Sequence, residues 1–77
     1  MKEIFEQIRN VVSERTGVEK SDIRPESSFM EDLNIDEMEV AEIISEIEDK
    51  LNIELDADIS EIKTVGDLLH AIHDVME

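Results

Sequence analysis

The chain has 77 residues, with 22 acids against 7 bases, a formal charge of −15 at pH 7 and no cysteine. A chain this short supports one small domain, residues 1–77, near the lower limit for a core without staples, and the lack of cysteine excludes disulfides and thiolate metal sites. Residues 1–25 carry five bases and five acids, whereas residues 26–77 carry seventeen acids against Lys50 and Lys63; that field disfavours nucleic-acid phosphates and anionic lipid and attracts a basic protein surface.

In chain order, Ile4, Phe5, Ile8, Val11 and Val12 recur at the spacing of an amphipathic helix. Gly17, following Arg15 in the last turn, is the expected C-terminal cap. Residues 18–35 then form a long connection through Pro25 and Ser27-Ser28, with Val18, Ile23, Phe29 and Leu33 as apolar anchors. A second helix starts at Asp36, an N-cap type, with Glu39 three residues on as in a capping box. Val40, Ile44, Ile47 and Leu51 mark its core stripe, and Asn52 ends it. A short helical turn is expected over Asp58–Glu61 after the extended NIEL. Thr64 caps a last helix with Val65, Leu68, Leu69, Ile72, Val75 and Met76 on one face. The sum is an all-α bundle of three main helices plus one short helix. No apolar run approaches the roughly 20 residues that cross a bilayer, and MKEIFEQIRNVV is too charged for a secretory signal. A cytoplasmic monomer is expected.

Few motifs carry chemistry. Asp32-x-Asn34-x-Asp36 resembles the start of a calcium loop, but the sixth and twelfth positions, which need Gly and a bidentate Glu, hold Glu37 and Ile43. His70 and His73 share a helix face without a third ligand, so no metal is expected and solvated histidines near Asp67 and Asp74 are the simpler assignment. No nucleophile–base pair, G-x-S-x-G or glycine-rich phosphate loop is present, and no enzymatic activity is expected.

Taken together, TGVEKSDIRPESSFMEDL, LNIDEMEVAEIISEIEDKLNIEL and IKTVGDLLHAI resemble the acyl carrier proteins, a small acidic four-helix family of fatty-acid and polyketide synthesis. Phe29, Glu31-Asp32-Leu33, Asp36 and Thr64-Val65 set the register. In that register the family's Asp-Ser-Leu becomes Asp36-Glu37-Met38, and Asn34 replaces the usual glycine. The family's serine takes 4′-phosphopantetheine through a phosphodiester. A carboxylate cannot form that bond, so no prosthetic group is expected on Glu37, and both departures argue against an ordinary carrier role. Ser27, Ser28 and Ser45 do not occupy the helix entrance.

The resemblance also implies a partner surface along the second helix, comprising Asp36, Glu37, Met38, Glu39, Glu42, Glu48 and Asp49, for basic surfaces on enzymes of acyl metabolism; the alternative is a solvated acidic face. Phe29, Ile44, Ile47, Leu51, Ile62 and Leu68 correspond to the family's acyl pocket, and without a tethered chain they serve as core. Glu37 itself has a simple physical role, since a negative charge at a helix N-terminus is worth about 0.3–1 kcal/mol. Mimicry of the phosphodiester's charge and a deliberate substitution are the other two explanations. The leading expectation is an acyl-carrier-like interaction module that lacks the attachment serine. The competing ones are a carrier modified elsewhere and a small acidic structural or regulatory domain outside acyl metabolism.

Overall fold

A computed structural model describes residues 2–55 and 58–76, with Lys2 given by its backbone alone. The order is α1 (Lys2–Thr16), a 3-10 turn (Lys20–Asp22), α2 (Glu37–Leu51), a second 3-10 turn (Ile59–Glu61) and α3 (Val65–Met76). The expected short fourth helix is thus a single three-residue turn at Ile59–Glu61, and a similar turn lies within the long connection. Among the described residues the only extended pairing is an isolated bridge between Ser28 and Thr64.

α1 buries Ile8, Val11 and Val12, with Ile4 and Phe5 half-buried against the same cluster. Gly17 ends the helix at φ 82°, its N–H donating to the Ser13 carbonyl at 2.9 Å. This left-handed conformation is one that L side chains rarely adopt.

The phase of α2 differs by one position from the expectation. Val40, Ile43 and Ile47 are the buried residues, whereas Ile44 and Leu51 are half-buried at the edge of the core. Both Ile43 and Ile44 fit a 3.6-residue period, and only packing into the shared core, chiefly against α1, chooses between them. Asn52 closes α2 at φ 57°, a conformation asparagine tolerates better than most residues. On α3, Val65, Leu68 and Ile72 are buried. Val75 and Met76, assigned to the same face, are exposed because the last turn extends past the packed surface.

The long connection packs down. Ile23, Phe29 and Leu33 are buried and Val18 is half-buried; Ile35, not among the expected anchors, is 4% exposed. The loop is then joined to the start of α3 by main-chain hydrogen bonds. Phe29 N–H donates to Lys63 O at 2.9 Å, Val65 N–H to Ser27 O at 3.0 Å and Gly66 N–H to Pro25 O at 2.7 Å. A Cβ at residue 66 would lie 2.8 Å from the Pro25 carbonyl oxygen, so this seam requires glycine. The polar anchor of the loop is Ser27, 7% exposed, whose Oγ accepts from Arg24 N–H at 3.0 Å.

Candidate functional site

The entrance to α2 is built by local chemistry. Asp36 sits in extended conformation and its Oδ1 accepts from Glu39 N–H at 2.8 Å, satisfying one of the donors that every helix start leaves open. Glu37 is therefore the first helical residue, exposed, at the positive end of the helix dipole. The segment before it bends at Asn34, φ 57°. Asparagine enters that left-handed region more readily than other non-glycine residues. Asn34 thus makes a bend at positive φ of the kind glycine enters most easily.

The expected capping box is only half closed. The Glu39 carboxylate does not return to the Asp36 backbone but accepts from Arg15 Nε at 2.5 Å. The same guanidinium reaches Glu46 at 3.0 Å and also Glu42. One residue from the end of α1 thus holds three acids spaced three and four apart along α2. The Glu39 hydrogen bond foremost, then the one to Glu46, raise the Arg15 pKa above its ordinary value despite some desolvation. The sequence marks Arg15 only as a helix-end base, and Glu46 is not among the residues expected at the partner surface. The available signal was the single stripe formed by Glu39, Glu42 and Glu46.

This rearranges the expected partner surface. Asp36 is engaged in the cap, Glu39 and Glu42 in the Arg15 clamp. Glu48 is half-buried, its carboxylate accepting from Leu55 N–H at 2.7 Å to fasten the chain that follows α2. Glu37, Met38 and Asp49 remain exposed, Met38 at 77%.

Glu37 also lies at the mouth of a groove of about 560 Å³ between the start of α2, the Ser28–Glu31 loop and the Ile59–Thr64 segment. Phe29, Val40 and Ile62 form its buried floor, with Met30 and Ile59 beside them. Glu31, Glu37 and Lys63 bring charge to it, and Ser28, Ser60 and Thr64 bring hydroxyls. Of the six residues matched to an acyl pocket, Phe29 and Ile62 line the groove. Ile47 and Leu68 are sealed in the core, and Ile44 and Leu51 pack against its edge.

The far wall of the groove is fixed by the start of α3. Thr64 Oγ1 accepts from Asp67 N–H at 3.0 Å, and Asp67 Oδ2 accepts from Lys63 N–H at 3.0 Å and Thr64 N–H at 3.1 Å. Partial burial pushes the Asp67 pKa up. These N–H donors, the Thr64 hydroxyl and the Lys63 charge outweigh it and bring the pKa below the ordinary 3.8. Elsewhere, Asp32 accepts from Ser28 N–H at 2.7 Å rather than converging with Asp36. His70 is exposed, 4.0 Å from Asp74, and His73 is half-buried. No group of metal-ligating side chains occurs among the described residues, nor does any helix there have the length and apolarity to cross a membrane.

A profile of the phosphopantetheine attachment site family matches residues 6–72. The chain belongs to that family. That domain class normally bears 4′-phosphopantetheine and engages enzymes of acyl metabolism without itself being the catalyst. The residue at the α2 entrance does not fit that group. Attachment requires a hydroxyl oxygen, and Glu37 offers a carboxylate. Among the serines, Ser27 is buried and bonded, and Ser28 Oγ accepts from Glu31 N–H at 3.2 Å. Ser45 is exposed farther along α2, and Ser60 is exposed in the second 3-10 turn.

Proposed function

We propose that this chain is a phosphopantetheine-family module that lacks the attachment serine and works as a non-enzymatic interaction partner for enzymes of fatty-acid, polyketide or other specialised acyl metabolism. The observation that supports it most directly is Glu37. It stands next to the Asp36 cap as the first residue of α2, exposed at the mouth of the groove, with an intact helix entrance around it. The fold bears no cost for the change, because a carboxylate there meets the helix dipole favourably. What is absent is the hydroxyl that the chemistry consumes. The proposed partner surface comprises Asp36, Glu37, Met38, Glu39, Glu42, Glu48 and Asp49, with basic surfaces opposite. Four of these side chains already have internal partners, which concentrates the available charge on Glu37 and Asp49.

Incubation with coenzyme A and a broad-specificity phosphopantetheinyl transferase, followed by intact mass, tests this reading. No adduct is expected on the wild type, and a stoichiometric one on Glu37→Ser. A full adduct on the wild type would overturn the proposal. It would favour a working carrier modified elsewhere, for which Ser28 and Ser60, the serines on the groove, are the first sites to map. A Glu37→Ser variant that stays unmodified would favour an acidic structural or regulatory domain outside acyl metabolism.

A further inference from the structure

The groove beside Glu37 supports a more specific assignment, which rests on the interaction-module reading. We propose that it is the docking site for an amphipathic helix of a partner protein. One aliphatic side chain of that helix enters over Phe29, Val40 and Ile62, and an arginine or lysine one turn away pairs with Glu37 and Glu31.

Charge selects the face. Glu39, Glu42 and Glu46 already hold a guanidinium, that of Arg15, and Glu48 holds a backbone N–H. A partner's base gains little there unless it displaces Arg15. Glu31 and Glu37 make no side-chain hydrogen bond or ion pair among the described residues, and both line the groove. Their charge is open to an incoming cation.

Shape and surface chemistry select the occupant. The floor is apolar and well buried, with Phe29 1%, Val40 2% and Ile62 5% exposed. Its lining is adaptable at Met30, 52% exposed, while Met38, 77% exposed, follows Glu37 on the first turn of α2 outside the lining. Exposed methionines beside an apolar cleft and a polar rim are a common way to seat an anchor side chain. Two carboxylates repel an anionic amphiphile that would otherwise suit such a floor. Lys63 also lines the groove, so the rim carries both signs; a docked helix with a base toward Glu37 and Glu31 and an acid toward Lys63 has a preferred polarity.

The test uses a fluorescein-labelled synthetic amphipathic helix with one central leucine and an arginine one turn away, titrated by anisotropy at low ionic strength. Replacing that leucine with alanine should weaken binding about tenfold, as should filling the groove by Ser60→Trp at an exposed position. Glu37→Gln should cost about fivefold or more, whereas Glu46→Gln should cost less than about twofold, since Arg15 already compensates that acid. Circular dichroism checks each variant's fold, and the leucine change tests the same contact without altering the protein. Equal losses for Glu37→Gln and Glu46→Gln would overturn the groove assignment while leaving α2 as a partner face. Insensitivity to both Ser60→Trp and the peptide's leucine, or no binding at all, would also overturn it. The adduct mass judges the carrier reading separately.

Discussion

α2 and α3 solve the same problem at their N-termini in opposite ways. At α3, Thr64 and Asp67 close a reciprocal capping box, and Asp67 takes the Lys63 N–H as well. Loop hydrogen bonds from Phe29, Val65 and Gly66 then tie the same spot to the long connection. At α2, Asp36 makes the first half of a box, but Glu39 turns away to Arg15 and Glu37 is left exposed. An entrance whose polar groups answer one another is a structural joint. An entrance with a carboxylate left over carries an exposed charge without an internal partner among the described residues.

The contrast can be broken most strongly at the α3 joint. Gly66→Ala places a Cβ 2.8 Å from the Pro25 carbonyl, and backbone cannot swing aside as a side-chain tip can. The expected loss is about 2 kcal/mol, net of alanine's better helix propensity, read from urea denaturation. Thr64→Ala removes one arm of the box and should cost about 1 kcal/mol. If Thr64→Ala were as mild as an exposed surface change, the joint would be less rigid than its geometry implies.

Asp67 adds a pH signature to the same joint. Its pKa is lowered in the folded state, so its stabilising contribution is full above the unfolded value and disappears as pH falls through the folded one. Asp67→Asn should therefore flatten the acid limb of the stability profile below about pH 4, with little change in slope near neutrality. Thermal melts from pH 2 to 7 check this.

On the α2 side the effects are smaller and depend on salt. Arg15→Gln leaves Glu39, Glu42 and Glu46 facing one another uncompensated. It should lower the melting temperature at low ionic strength, with the gap to wild type closing as salt screens the repulsion. A salt-independent deficit would mean that Arg15 matters through packing of its stem instead. The smallest effect belongs to Glu37→Gln, expected to cost only about 0.3–1 kcal/mol through the helix dipole. A larger loss would make Glu37 a structural residue and weaken its reading as a residue spared for partners.

Much of this contrast is visible before folding. Asp36 and Thr64 as caps, Gly17 and Asn52 as ends, and the presence of three amphipathic helices, though not the exact buried face of α2 and α3, follow from residues within a turn or two of one another. Capping and periodicity are local, so composition and spacing suffice. The placement of Glu37 beside the α2 cap is equally local, since it follows from Asp36 capping the helix.

The tertiary structure decided what depends on distance. Ile43 rather than Ile44 faces the core because of where α2 lies against its neighbours. Arg15 meets acids 24, 27 and 31 residues away, a pairing that no short-range pattern specifies. Gly66 is required only because Pro25 is brought against it, and the groove beside Glu37 exists only where loop, α2 and the Ile59–Thr64 segment meet. Local sequence determined where the helices start and stop and which charge stands at each entrance. Packing between segments distant in the chain determined which of those charges are compensated and which stay exposed.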